Sequence, residues 1–432
     1  MAKVTNLTLR HKMIYQIYIR NYSKTGDFQG VIDDLPRLKA LGVDIINLMS
    51  IFPTQVGTEG NGQILYAESF ERVNPEYGDM VAFMDLVDAI HDLDMQVVLN
   101  FPLTSMARSA ELLTEEPAFF KWEKDGSLSH RITEEEEVVD LDFKNPKMWD
   151  DLIAILKFWA KYVDGFAIQH AQYIRPEFWQ SARAEVEDVH QYFYWLGGQI
   201  GLRDLYQAKR RKLPFWTEGE LYLSFDVLNI EPVKGIQQRF LRGQMSMENY
   251  AYLEDIREMT TPSTSVMDRG LEFVPSERFS NQITSAEALV NWTAMSIFQK
   301  GIASLMMGQE YGCRHPIPLH EKKVLAWEKP FDMSDMLARL ARIKKREIMK
   351  AGLYYNEAAS PHTIRITYEY YDEYLFGFFQ LKTPPGEEIV TIPIPDGIYE
   401  DILNEEPIEV QNGHITLQDK PVIVAYEEGN MK

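Results

Sequence analysis

Short runs of β-branched and aromatic residues alternate, along the first 345 residues, with longer stretches whose apolar positions recur at three and four. Met13–Ile19 precedes Gly30–Leu41, where Val31, Leu35, Leu38 and Leu41 share one helical face. Ile45–Leu48 leads to Met80–Leu93, Val97–Asn100 to Lys147–Tyr162, Gly165–Ile168 to Pro176–His190, and Tyr192–Gly197 to Leu202–Arg211. Phe225–Leu228, Leu271–Val274 and Ser304–Met307 continue the strand series, with Ser285–Gln299 and Met333–Glu347 as helices. Eight strand–helix units predict an α/β protein of the (β/α)8 TIM-barrel type, since a doubly wound sheet more often carries five or six.

From about Ala351 the helical period disappears. Thr363–Tyr368, Tyr374–Gln380, Glu388–Ile392, Ile415–Leu417 and Val422–Tyr426 alternate in twos between Pro, Gly and Asp turns. The predicted division is a barrel over 1–348, with a short insertion at about 103–145 after the third strand, and a C-terminal antiparallel, sandwich-like β-domain over 349–432.

Charge narrows the partners. Among 432 residues, 44 Lys and Arg face 65 Asp and Glu, a net charge of −21, and no basic block occurs. Such a surface repels phosphate backbones and anionic lipid, so neither nucleic acid nor membrane is expected as a partner. With 45% hydrophobic residues the chain is too rich in core formers to be disordered. No signal-like segment or membrane-length apolar run is recognisable, which makes the expected location cytoplasmic. The single cysteine, Cys313, excludes an internal disulfide and a cysteine-based zinc site, and reads as a small buried hydrophobe. Glu134–Glu137 reads as a solvated run, and neither a metal nor a cofactor is expected.

Several segments resemble glycoside hydrolase family 13, the α-amylase family. They are IYQIYIRNYS with GDFQGVIDDLPRLKALGVDIINLMSIFP, then YAESFERVNPEYGD, DLDFKNPKMWDDLIAILKFWAKYVDGF, GIASLMMGQEYG and LAWEK, in that order. The resemblance implies retaining chemistry at α-glucosidic bonds, with a nucleophile, an acid and a ring-binding carboxylate at the ends of strands four, five and seven. Each position departs from the family pattern. The fourth-strand motif, Gly-Phe/Tyr-Arg-x-Asp in the family, runs Gly165, Phe166, Ala167, Ile168, Gln169, which puts an amide at the nucleophile and alanine at its supporting arginine. At the third strand Asn100 replaces the family aspartate. At the seventh, Ser276, Glu277 and Arg278 stand for Asn-His-Asp. For the acid two alignments stay open: Gly198, favoured by the strand pattern, and Glu220, from the Gly219–Glu220 pair.

Tyr66 matches the family's sugar-stacking tyrosine or is a packed loop aromatic, and His170 faces the barrel mouth or is a structural histidine. Trp195 and Trp216 read as core aromatics. Glu277 and Arg278 form either a ligand-contacting pair or a structural ion pair. The candidate ligand-binding residues are therefore Tyr66, Asn100, Gln169, His170, Glu277 and Arg278. Three function classes follow: a catalytically degenerate family member that binds an α-glucan or oligosaccharide or acts in regulation; an enzyme using other carboxylates such as Glu218, Glu220, Asp226 or Glu277; and an interaction module with a protein partner or a second copy of itself. The first fits the residues best.

Overall fold

The computed structural model describes residues 5–54, 66–200, 202–273, 277–283, 285–382 and 386–429, without the side chains at 199–200, 202–204 and 230–234. The Gly-rich stretch 56–62 and Ser276 lie outside the described residues. Eight parallel strands form one sheet: β1 Met13–Ile17, β2 Ile45–Leu48, β3 Gln96–Phe101, β4 Gly165–Ile168, β5 Tyr194–Ile200, β6 Val227–Ile230, β7 Val266–Met267 and β8 Ala303–Met306. β8 pairs with β1, Met13 opposite Ala303. β7 reaches β8 through a parallel bridge between Asp268 and Ile302, and the Arg269 N–H donates to the Ile302 carbonyl at 2.9 Å. The sheet therefore closes on itself as a (β/α)8 barrel.

The helices that follow the strands are α1 Leu35–Ala40, α2 Met80–Asp92, α3 Pro146–Trp159, α4 Pro176–Glu187, α5 Leu202–Arg211, α6 Glu231–Leu241, α7 Met247–Thr260, α8 Ala286–Phe298 and α9 Ser334–Lys344. Local sequence starts them. The Asp79 carboxylate accepts from Ala82 N–H, Ser285 from Ala288 N–H, and Asn145 from Lys147 N–H with Pro146 at the first helical position. The helix predicted over Gly30–Leu41 is two pieces, Phe28–Ile32 and α1, because Pro36 has no N–H to continue the ladder.

α8 is buried nearly all round, which is why its polar face is weak in the sequence. One side packs on the barrel and the other carries the C-terminal domain: Trp292 Nε1 donates to the Leu381 carbonyl, Tyr368 OH to the Phe298 carbonyl, and Gln380 N–H to Asn291 Oδ1. That domain comprises β9 Leu353–Ala358, β10 Thr363–Tyr370, β11 Glu373–Gln380, β12 Glu388–Thr391, β13 Gly397–Asp401, β14 Glu406–Val410, β15 His414–Leu417 and β16 Val422–Glu427. Six strands run antiparallel in the order β9, β10, β11, β16, β13, β14, and β12 pairs with β15. Phe376, Phe378, Val390, Ile392, Ile415 and Val424 share one core. The insertion after β3 holds a small antiparallel ribbon, Ser105–Ala107 against Val138–Asp140.

One strand differs from its sequence assignment. The seventh strand is Val266–Met267, five residues ahead of the apolar run at Leu271–Val274. Leu271 is in the core, yet Glu272 beside it holds a buried ion pair with Arg278, so Leu271–Phe273 packs outside the sheet, and Val274 lies outside the described residues.

Candidate functional site

The barrel interior is built in layers. Ile14, Ile45, Val98, Ala167, Leu196, Val227, Val266 and Ile302, one from each strand or its start, pack into a single apolar cluster. Since side chains on one face of a strand recur every second residue, the next inward position lies two residues on. Those positions are Gln16, Asn47, Asn100, Gln169, Gly198, Asn229, Asp268 and Ser304. The first seven line one cavity of about 70 Å³ at the C-terminal ends of the strands, with Phe273 at its edge. The apolar plug thus gives way to a polar pit dominated by five carboxamides.

Gln169 follows the end of β4 and Gly198 lies in β5, each one step beyond the register pair Ile168–Gly197. A register shift between Gly197 and Ile200 marks a bulge there. The position of β5 favours Gly198 over Glu220 as the residue at the strand-five mouth. Glu220 instead caps a short helix, Glu218–Leu221, its carboxylate accepting from Thr217 N–H and Oγ1, both at 2.7 Å. These bonds hold it below the usual carboxylate range.

Asp268 is the one carboxyl lining the pit among the described residues. Burial pushes it up to about 6, while the Ser304 side chain, Gly270 N–H and Arg269 pull the other way. Reading the seventh strand too late in the sequence hid this residue. Its signal was the apolar-to-polar step Val266 to Asp268, the same step as Ile14 to Gln16, Ile45 to Asn47 and Val98 to Asn100.

The other candidates are dispersed. Asn100 and Gln169 share the pit. Arg278 is fully buried elsewhere: its guanidinium donates to the carbonyls of Met307 and Cys313 and meets Glu272 at 3.2 Å. Glu277 is exposed and does not line the pit. His170 adopts a left-handed backbone beside β4, 5.9 Å from the Tyr173 ring, and burial lowers its pKa to about 4, with Arg211 adding to the effect. It is neutral at physiological pH. Tyr66 is buried, and its phenol is raised by burial and by Glu135 and Asp140. Trp195 is core, packed edge-on to Phe166.

The alternative carboxylates are committed away from the mouth. Asp226 precedes β6 at the opposite end of the barrel, paired with Arg183 at 2.9 Å and accepting from Trp195 N–H. Glu218 pairs with Arg257. Burial raises the Cys313 thiol to about 11, which leaves it protonated and unreactive. Among the described residues no three His, Cys, Asp or Glu side chains converge on a metal position.

Residues 16–117 match the α-amylase catalytic domain, and residues 355–424 match the bacterial α-amylase C-terminal domain. The crystal structure of an α-amylase from Lactobacillus plantarum superposes with a TM-score of 0.93 at 28% identity, covering 98% of this chain and 100% of that one. The chain carries an α-amylase-like barrel and C-terminal domain. A maltogenic α-amylase from Thermotoga neapolitana shares the fold at 20% identity and a TM-score of 0.82, over 97% of this chain and 99% of that one.

Other curated proteins align over parts of the chain. An α-1,4-glucan:maltose-1-phosphate maltosyltransferase from Pseudomonas aeruginosa is 26% identical over 204 residues, 41% of this chain and 31% of that protein. A human amino acid transporter heavy chain is 23% identical over 252 residues, 46% of this chain and 36% of that protein. These matches span about a third of each curated relative. The catalytic-domain match ends before β4. No helix among the described residues is long and apolar enough to cross a membrane.

Proposed function

We propose that this α-amylase-family barrel is non-catalytic and acts through recognition. One observation carries the reading: a single carboxyl, Asp268, lines the mouth among the described residues. Glycoside cleavage needs two carboxyl groups flanking the bond, about 5 Å apart for retention or 6.5–9.5 Å for inversion. Neither pair can be assembled from Gln169, Gly198 and Asp268. The test is product release from maltooligosaccharides and aryl α-glucosides, which stays at the buffer level. Turnover proportional to protein would overturn the reading.

The relatives' names support an α-glucan or oligosaccharide as the ligand class. Gln16, Asn47, Asn100, Gln169 and Asn229 offer donors and acceptors suited to hydroxyls. At about 70 Å³ the pit lies well below the ~300 Å³ of ordinary ligand sites and admits one substituent of a sugar, not a ring. A sugar therefore engages the rim, and binding raises the melting midpoint in titrations with maltooligosaccharides. Flat midpoints at millimolar sugar would leave regulation through protein contacts.

A further inference from the structure

On the outer wall of the barrel, α3 carries two apolar stripes. Leu152, Leu156 and Trp159 are buried against the barrel, whereas Ala154, Ile155 and Phe158 lie on another side at helical spacing. With the Leu112–Glu115 turn of the insertion and the loop at Glu68–Glu71, that second stripe forms a groove of about 560 Å³. Phe70, Met106 and Phe119 deepen its apolar floor. Glu71, Glu111, Glu115 and Asp151 stand at its rim, and no Lys or Arg is among the described lining residues.

The same chain bears a face of opposite character. α5 exposes Leu205 and Tyr206, at 40% and 62%, and one turn later Lys209 and Arg210. The Arg210 guanidinium lies 5.9 Å from the Tyr206 ring. Two apolar side chains backed by two cations match an apolar floor rimmed by carboxylates. We propose that the α5 face of one copy seats in the α3 groove of a second copy. The net charge of −21 repels copies at long range, but screening over ~8 Å at physiological ionic strength leaves the local match to decide. The contact joins two different surfaces, so it is head-to-tail, and its closure sets whether pairs, rings or chains form.

Sedimentation of the full chain over a concentration series tests this. Wild type self-associates, and more weakly at high salt. Ala154→Arg, which blocks the groove, and the double change Lys209→Glu with Arg210→Glu, which reverses the helix face, each raise the dissociation constant of self-association at least tenfold. Mixed together, the two variants form a one-to-one complex, because each retains the half the other lost; unchanged melting curves show that both fold. A monomeric wild type at every concentration, or association indifferent to both variants, would overturn the proposal. So would a maltooligosaccharide-induced melting shift that Ala154→Arg abolishes, which would assign the groove to sugar.

Discussion

Gln169 and Gly198 stand side by side at the ends of β4 and β5, one step past the Ile168–Gly197 register pair and in the same pit. An amide and a bare backbone occupy neighbouring places where the family's resemblance calls for a nucleophile and an acid. A Cβ built on Gly198 meets nothing closer than the Ile168 carbonyl at 3.7 Å, so space is not what keeps a carboxylate out. Gln169→Asp alone is expected to show no product release above wild type, because Gly198, where the resemblance puts the acid, carries no carboxyl beside it. A rise in maltooligosaccharide hydrolysis of a hundredfold over buffer in that single variant would show that another group supplies the proton.

Asp268 ties stability to pH. Its folded-state pKa of about 6, against an ordinary value of 3.8, means that the folded chain binds this proton more tightly than the unfolded chain. The favourable contribution is present below about pH 4 and is lost as pH rises through about 6. Asp268→Asn removes that slope. Relative to wild type the variant gains stability between pH 4.5 and 7.5, by about 2 kcal/mol, as read by urea denaturation at both values. An equal difference at the two pH values would show that the carboxyl is not held up by burial.

Arg278 is a structural residue in this account. Arg278→Met leaves Glu272 buried without its cation and two carbonyls without their donor, which costs about 3–5 kcal/mol in a denaturation midpoint experiment. A stable Arg278→Met variant with weakened sugar binding would return this side chain to the ligand-contacting role.

Much of the barrel was legible because buried parallel strands read as apolar runs and their helices as a three-and-four period. β2 and β4 fall on Ile45–Leu48 and Gly165–Ile168 as the pattern placed them. β7 was not legible: it is two residues long, and a longer apolar run follows it at Leu271, anchored to the core without joining the sheet. That displacement moved attention from Asp268 to Arg278. β9, β13 and β14 were also unread, since their exposed faces carry Glu, Asp and Tyr and blur the apolar alternation. Motif comparison could show which groups were missing at β4 and β5. The two-residue step from an apolar layer to a polar one needed the strand registers to appear as a pit.

The most direct measurement is a sensitive assay of reducing-sugar and aryl-glycoside release by wild type beside Asp268→Asn. With one carboxyl at the mouth, both proteins should match buffer across pH 4.5–8. Turnover by wild type that scales with protein and disappears in Asp268→Asn would contradict the account, by showing that this carboxyl works with a partner in a functioning glycosidase.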